Sequence, residues 1–141
     1  MASVGDVARR APLIHTISNA VRDEIIVEFG RQAEDVVVIE PGINELFLDT
    51  SVVDTDVVSR LGLASGHYVL SVSTLEPRKN FKTLLAAYDQ LPRDLRRAMP
   101  LVLVGTRGWG DTDMATLLNK LCEEGSLRLS GYVSDADLKT L

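Results

Sequence analysis

Short apolar runs alternate with helix-period segments along the chain from Pro12 onward. Runs of four to eight apolar residues are typical of strands, whereas an apolar residue every three or four positions is typical of an amphipathic helix. The predicted strands are 13–17, 36–39, 68–72, 101–105 and 127–133. Because strands and helices alternate, the sequence predicts an α/β fold with a Rossmann-like parallel sheet and flanking helices.

Capping residues mark the predicted helices between these strands. Ser18 is placed to cap a helix over about 19–29, and Gly30 is placed to end it. Asn80 is the predicted N-cap of the helix that follows the strand 68–72, which we expect to be fully buried. One apolar stripe of that helix is formed by Phe81, Leu84, Leu85, Tyr88 and Leu91.

Two more helices are predicted further along the chain. Asp111 would cap the first and Gly125 would end it, with Lys120 on the exposed side. Its buried face is predicted to carry Met114, Leu117, Leu118, Leu121 and Cys122. Ser134 and Asp137 resemble a capping box at the start of the last helix. The charges of 91–99 alternate in sign, which predicts a solvated helix face.

The segment from Pro41 to His67 interrupts this alternation. Pro41 and Gly42 break the pattern, and only 56–63 has a helical period. The segment is therefore predicted to link two structural halves. A chain of 141 residues with 45% hydrophobic residues can bury one sizeable core.

Charge and cysteine content limit the function classes. The formal net charge is −5, so no broad cationic field is available and nucleic acid is not an expected partner. Cys122 is the only cysteine, which excludes an intrachain disulfide and favours a cytoplasmic location. His15 and His67 lack metal-ligand spacing, so no metal site is expected. No apolar run approaches the roughly 20 residues of a membrane span, so any membrane association is expected to be peripheral.

A basic pair lies on the predicted turn between a strand and a helix, within STLEPRKNF (73–81). Ligands of open parallel sheets bind outside the carboxyl ends of the strands, where helix N-termini attract anions. Lys79 would supply a compact point charge, and Arg78 would supply a bidentate fork. The sequence therefore predicts a phosphate site here. The alternative is that both cations are solvated turn residues.

Several motifs occur in an order that resembles a known enzyme family. YVLSVSTLEPRKNFKTLLAAYDQLP, LVLVGTRGWG and LRLSGYVSDADLKTL resemble the first half of the C-terminal domain of family-four retaining glycosyltransferases, which have the GT-B fold. HTISNAVRDEII and VVVIEPGIN resemble the end of the N-terminal domain and the domain crossing. The resemblance implies that residues 1–42 belong to the N-terminal domain and the crossing. It implies that 43–141 form the first half of the C-terminal, nucleotide-sugar-binding domain.

The resemblance also implies a donor site. The lysine that binds the donor diphosphate in this family matches Lys79. Its usual arginine partner lies five positions earlier, where this chain has Thr74, so Arg78 is the expected substitute. The donor is a nucleotide-diphosphate sugar, which is a substrate, and no cofactor is implied.

Two further segments match donor-side motifs of the family. The loop near the donor corresponds to Gly105, Thr106, Arg107 and Gly108, and the stretch near the nucleobase corresponds to Gly131, Tyr132 and Val133. Without the resemblance, the first segment is an ordinary loop and Tyr132 is a half-buried aromatic residue at the end of a strand.

The parent enzyme implied by the resemblance transfers a hexosyl group, often mannose, to a glycan or lipid-linked acceptor of bacterial surface polysaccharide. The expected location is the cytoplasm, with association at the inner face of the membrane as one option. The family's paired glutamates are not found before Leu141, so we expect a truncated GT-B segment that is inactive alone. An incomplete sheet would expose an unpaired edge and an uncovered apolar face, so we also expect the isolated chain to be marginally stable and to self-associate. The alternative function is a non-catalytic α/β binding or scaffold module.

Overall fold

The structure is a computed structural model that describes residues 3–51, 55–106 and 112–141. The chain divides into two compact units between Leu48 and Asp49, which we call unit 1 and unit 2 in chain order. The expected domain assignment of 1–42 and 43–141 stays a prediction, because compactness alone does not identify a domain.

Unit 1 contains a parallel pair of short strands. Its elements are α1 (Val4–Arg10), β1 (Ile14–Thr16), α2 (Asn19–Phe29), a 3₁₀ turn (Ala33–Asp35), β2 (Val36–Val38) and α3 (Glu45–Leu48). The Ser18 hydroxyl accepts the Val21 N–H at 3.3 Å, and Gly30 is left-handed with φ 64°. The predicted caps of α2 are therefore confirmed. Helix α1 was not predicted, although Ser3 and Asp6 form a capping box at its start.

Unit 2 contains a parallel sheet in the order β3-β4-β5. Its elements are α4 (Val57–Arg60), β3 (Val69–Val72), a 3₁₀ turn (Pro77–Lys79), α5 (Phe81–Asp89), α6 (Arg93–Ala98), β4 (Leu101–Val104), α7 (Thr112–Glu123), β5 (Leu127–Gly131) and α8 (Asp135–Thr140). The predicted alternation of strands and helices is confirmed. The first turn of α8 is capped by Ser134, whose hydroxyl accepts the Asp137 N–H at 3.1 Å.

The core of unit 2 lies around the central strand β4, whose four residues are only 0–4% exposed. The apolar stripes of α5 and α7 pack against it, and burying each large side chain stabilises the fold by about 1.5–3 kcal/mol. Its other buried members are Leu75, Phe81, Leu85, Tyr88, Leu118, Leu121 and Leu127, with Leu84, Leu117, Cys122 and Leu129 half-buried beside them. Leu91 lies beyond the end of α5 and is exposed. Asp111 and the Met114 side chain lie outside the described part of the structure.

The outer strand β3 is more exposed than predicted. Val69 and Val72 are 40% and 49% exposed, so the prediction of a fully buried strand is wrong. In the described part of the chain β3 pairs with β4 on one side, and a strand with one neighbour has no second partner to cover its other edge.

A buried cation joins three helical segments near the amino ends of the strands. The Arg96 side chain on α6 is buried, which contradicts the predicted solvated face. Its Nη1 donates to the Asp89 carbonyl and, at 2.8 Å, to Asp89 Oδ1, while Nη2 donates to Glu124 Oε2 at 2.8 Å. A guanidinium loses its hydration on burial, so it is found inside a protein only with such partners.

Tyr88 of α5 supplies a second polar anchor in the same region. Its hydroxyl lies 2.9–3.0 Å from the carbonyl oxygens of Arg96, Met99 and Ser126. One hydroxyl proton serves one carbonyl at a time, so the three acceptors share it. Burial raises the pKa of the Tyr88 phenol. The contact ties α5 to the segments that enter β4 and β5.

Lys120 lies on the exposed side of α7, as predicted, and it forms an ion pair with Asp89. Its Nζ donates to both carboxylate oxygens of Asp89, at 2.7 and 2.8 Å. This hydrogen bond, together with the charges of Lys120 and Arg96, lowers the pKa of Asp89 below its usual value. Asp89 therefore connects the surface of α7 to the buried Arg96.

We expect this carboxylate to make stability depend on pH. A group with a lowered pKa in the folded state stabilises the fold above its unfolded pKa of about 3.9, and this contribution is lost as pH falls through the folded pKa. The free-energy gap between the wild-type chain and Asp89→Asn, measured by urea unfolding, should be largest at neutral pH and narrow below about pH 4. The exposed Glu123→Gln is the matched control, and an Asp89 gap that does not change with pH would contradict the prediction.

The predicted self-association also has a structural test. The outer edge of β3 is unpaired in the described part of the chain, and it presents exposed Val69 and Val72. Sedimentation at tens of micromolar should show species heavier than the monomer. A lysine on an edge strand blocks edge-to-edge pairing, so Val72→Lys should reduce them. A single monomeric boundary for the wild-type chain would refute the expectation.

Candidate functional site

The segments that follow β3, β4 and β5 are held side by side at the carboxyl edge of the unit 2 sheet. Backbone hydrogen bonds continue the ladder past the ends of the strands. They run from the N–H groups of Ser73, Gly105 and Leu75 to the carbonyl oxygens of Val104, Gly131 and Thr106, at 2.9, 2.9 and 3.1 Å. The structure thus brings together four of the predicted site residues, Thr74, Gly105, Thr106 and Gly131.

Gly105 lies close to the backbone of Ser73 at this edge. Its φ is 140°, and a Cβ built there would lie 2.2 Å from the carbonyl oxygen of Ser73. Any side chain would push the segments after β3 and β4 apart. The short distance between these segments therefore requires glycine at this position.

A β-bulge shapes the end of β5. Leu103 of β4 pairs with Leu129 and Val104 pairs with Gly131, so Ser130 is one extra residue in β5. The Ser130 hydroxyl lies 2.9 Å from the carbonyl oxygen of Gly131. Bulges of this kind bend a strand and redirect the side chains that follow.

The residues after the bulge reach the surface. Gly131 is left-handed with φ 70°, Tyr132 is 79% exposed, and Val133 is half-buried. The alternative interpretation of Tyr132 as a half-buried aromatic residue is therefore wrong. An exposed ring beside a sheet edge is free to stack on a planar group.

The basic turn is fixed by its own backbone and by one apolar anchor. Leu75 is buried in the core of unit 2, and the Lys79 N–H donates to the Glu76 carbonyl at 3.0 Å. The turn ends directly before α5. Asn80 occupies the predicted N-cap position, but it is left-handed with φ 56°, and its side chain accepts the Thr83 hydroxyl at 2.7 Å rather than a backbone N–H.

The two cations of the turn differ in their partners. Arg78 Nε donates to Glu76 Oε2 at 2.6 Å, and the two side chains are 69% and 31% exposed. Lys79 is exposed, and its ammonium group has no carboxylate partner among the described residues. Glu76 was not among the predicted site residues. Its only signal was a carboxylate two positions before an arginine in a turn, which is too common to be specific.

Two predicted members of the site, Arg107 and Gly108, lie outside the described residues. Thr74 is half-buried between the ends of β3 and the turn. The remaining arrangement places Lys79, which has no ion pair within the described ranges, the paired Arg78 and the first turn of α5 at one sheet edge. Such a geometry attracts an anion, because helix N–H groups and cationic side chains act together there.

Within residues 3–51, 55–106 and 112–141, no cluster of three or more His, Cys, Asp or Glu side chains could hold a metal ion. The helices of the same ranges include none that combines the length and apolar character needed to cross a bilayer.

Comparison with solved structures identifies the class of fold. HepE from Anabaena, solved with UDP and glucose, matches 96% of this chain and 37% of its own at 25% identity and a TM-score of 0.68. WaaG, a glycosyltransferase of lipopolysaccharide biosynthesis, matches 92% of this chain and 38% of its own at 16% identity and a TM-score of 0.69. Both are GT-B glycosyltransferases, so the predicted fold class, an α/β architecture that forms part of a GT-B fold, is confirmed.

Sequence comparison indicates the same class of enzymes, the glycosyltransferases. The chain is 38% identical over 132 residues to the O-antigen chain mannosyltransferase B of Escherichia coli, which covers 93% of this chain. This chain spans 35% of that protein's length. No family model matches the chain. Its relatives are glycosyltransferases, as the resemblance implied, so the predicted class is confirmed at this level.

The close approach at Gly105 generates a prediction. Gly105→Ala should destabilise the chain by at least about 2 kcal/mol, because overpacking and an unfavourable φ act together. Gly42→Ala is the matched control, since a Cβ there meets nothing within 4 Å. Urea unfolding of the two variants measures the difference. Equal midpoints would mean that the segments after β3 and β4 separate easily.

Proposed function

We propose that unit 2 carries the diphosphate-binding part of the donor site of a family-four retaining glycosyltransferase. In this proposal residues 1–42 are the end of the N-terminal domain and the domain crossing, and 43–141 are the first half of the C-terminal domain. The complete enzyme transfers a hexose from a nucleotide-diphosphate sugar to a glycan or lipid-linked acceptor. The 141-residue chain is inactive alone.

The observation that carries the proposal is Lys79, an exposed cation without an ion-pair partner in the part of the chain that the structure describes, in the turn that directly precedes α5. It lies beyond the carboxyl end of β3, where parallel sheets bind their ligands. A lysine that has no carboxylate partner among the described residues keeps its charge available for an anion. Arg78 lies beside it in the same turn and offers a second set of donors.

The rest of the donor site is assigned along the same sheet edge. Gly105 and Thr106, with Arg107 and Gly108 beyond the described residues, border the donor. The backbone of Gly131 and Val133 meets the nucleobase, and the exposed Tyr132 ring lies beside it. Thr74 completes the phosphate side. The backbone bonds between these segments support the assignment, because they hold its members at one edge.

Electrostatics would be the contribution of the basic turn to catalysis. When the glycosidic bond of the donor breaks, negative charge develops on the departing diphosphate. Lys79 and Arg78 stabilise that charge more strongly in the transition state than in the bound sugar donor. This effect is worth about 3 kcal/mol for each well-placed hydrogen-bond donor of the protein. The donor is itself a substrate, so this step uses no separate cofactor.

The names of the relatives narrow the substrate class. A mannosyltransferase of O-antigen synthesis favours mannose as the transferred hexose, and HepE was solved with UDP and with UDP-glucose. We therefore assign a cytoplasmic enzyme of bacterial surface polysaccharide synthesis that associates with the membrane peripherally.

A second candidate is a non-catalytic α/β binding or scaffold module. The observation that favours it is the Arg78–Glu76 ion pair, which occupies one of the two cations without any ligand. In that case the turn is a solvated surface feature and nucleotides do not bind.

Nucleoside diphosphates should bind the 141-residue chain, and Lys79 should carry most of the affinity. A charge-assisted contact to phosphate is worth roughly 1.5–3 kcal/mol. Lys79→Ala should therefore lower the affinity for UDP and for GDP about ten- to a hundredfold. Added salt should weaken binding to the wild-type chain as well, since it screens the same charges. Titration calorimetry measures both effects.

The matched control is Arg97→Ala. Arg97 is exposed in the last turn of α6, near the amino ends of the strands, and has no ion pair among the described residues. Lys120 is unsuitable because it binds Asp89. Equal losses from Lys79→Ala and Arg97→Ala would indicate non-specific charge binding, and unchanged affinity after Lys79→Ala would favour the scaffold module.

A further inference from the structure

We propose that Glu76 is a built-in competitor for the diphosphate: it holds Arg78 while the site is empty and takes it back when the diphosphate leaves. This inference rests on the proposed function, since it describes how the same site releases its anion. It assigns Glu76 a role in setting the affinity for the leaving nucleoside diphosphate.

The ion pair occupies one of the N–H donors of the Arg78 guanidinium. Arg78 Nε donates to Glu76 Oε2 at 2.6 Å, the length of a strong charge-assisted bond. An anion that uses the full guanidinium must therefore replace this carboxylate. Lys79 needs no such exchange, because no carboxylate of the described residues holds it.

Glu76 is the less exposed partner of the pair, and its backbone is hydrogen-bonded within the turn. Its N–H donates to the Thr74 carbonyl at 2.9 Å, and its carbonyl accepts the Lys79 N–H at 3.0 Å. The Glu76 side chain is 31% exposed, whereas that of Arg78 is 69% exposed. When an anion arrives, the long Arg78 side chain turns toward it and the carboxylate stays beside the turn.

The negative charge of Glu76 affects how readily the nucleoside diphosphate leaves the site. The carboxylate repels a bound diphosphate and competes for Arg78, so it weakens binding of the donor and of the nucleoside diphosphate product alike. Exposed ion pairs are worth about 0.2–1 kcal/mol, which makes the exchange easy in both directions. A product that binds too tightly limits turnover, so a weak internal competitor favours release.

Inorganic pyrophosphate is the probe, because it reports the phosphate contacts without a nucleobase. Calorimetry on the 141-residue chain should give about two- to fivefold tighter binding for Glu76→Gln than for the wild type. In the Arg78→Ala background the same substitution should gain less, since the pair is already absent. Glu123→Gln removes one exposed carboxylate from the end of α7 and should leave binding unchanged.

A second readout follows the ion pair itself. In the ligand-free chain, the ¹⁵N-edited signal of the Arg78 Nε–H should show exchange with solvent that is about two- to fivefold slower than in Glu76→Gln. Pyrophosphate should shift this signal in the wild type. A signal that does not respond to pyrophosphate would overturn the inference.

The outcomes separate this inference from the proposed function. If Lys79→Ala abolishes pyrophosphate binding but Glu76→Gln leaves it unchanged or weaker, Glu76 only orients Arg78 and the competitor role is refuted. If Lys79→Ala changes nothing, the proposed site itself fails. Absence of binding in every variant rejects both.

Discussion

The contact between the backbones of Gly105 and Ser73 is the constraint on which the sheet edge depends. Gly105 follows β4, the most buried strand of unit 2, so its position is set by the core. The next residue, Thr106, accepts the N–H of Leu75, which anchors the basic turn. A chain of backbone contacts thus leads from the core to Lys79. The exposed cation owes its place to backbone contacts that begin at the buried strand β4 and to the buried side chain of Leu75.

Polar groups have different surroundings at the two ends of the strands in the unit 2 sheet. Near the amino ends of the strands, Arg96, Asp89 and Tyr88 bond to neighbouring helices and to backbone carbonyls, although the buried Nε of Arg96 has no partner among the described residues. At the carboxyl edge, Lys79 and the Tyr132 ring remain exposed. Satisfied polar groups make a rigid floor, and open ones make a surface that can bind. Both are needed if one edge is to recognise a charged ligand.

Local rules predicted the fold well where a single element decides the outcome. Ser18 and Gly30 fix the ends of α2, and the unbroken apolar run of β4 marks it as central. The helix stripe of α5 was likewise readable. The basic turn was found because it lies between a strand and a helix, although the sequence contains no sign of which cation is paired.

The features that the sequence did not reveal depend on contacts between distant segments. Burial of Arg96 requires Glu124, which is 28 positions away, and the need for glycine at position 105 arises only because Ser73 passes close to it. The exposure of β3 depends on how many neighbours it has, and strand composition does not report that number.

The bulge in β5 has a consequence for how related chains should be aligned. Side chains alternate between the two faces of a strand, so the extra Ser130 shifts Gly131, the last residue of β5, by one position relative to its partner on β4. Deleting Ser130 would restore the regular ladder and would bring the left-handed Gly131 and the exposed Tyr132 one position earlier along it. The length of this segment is therefore under tighter constraint than the identity of Ser130. A single-residue gap there marks a change of surface even where the flanking letters agree.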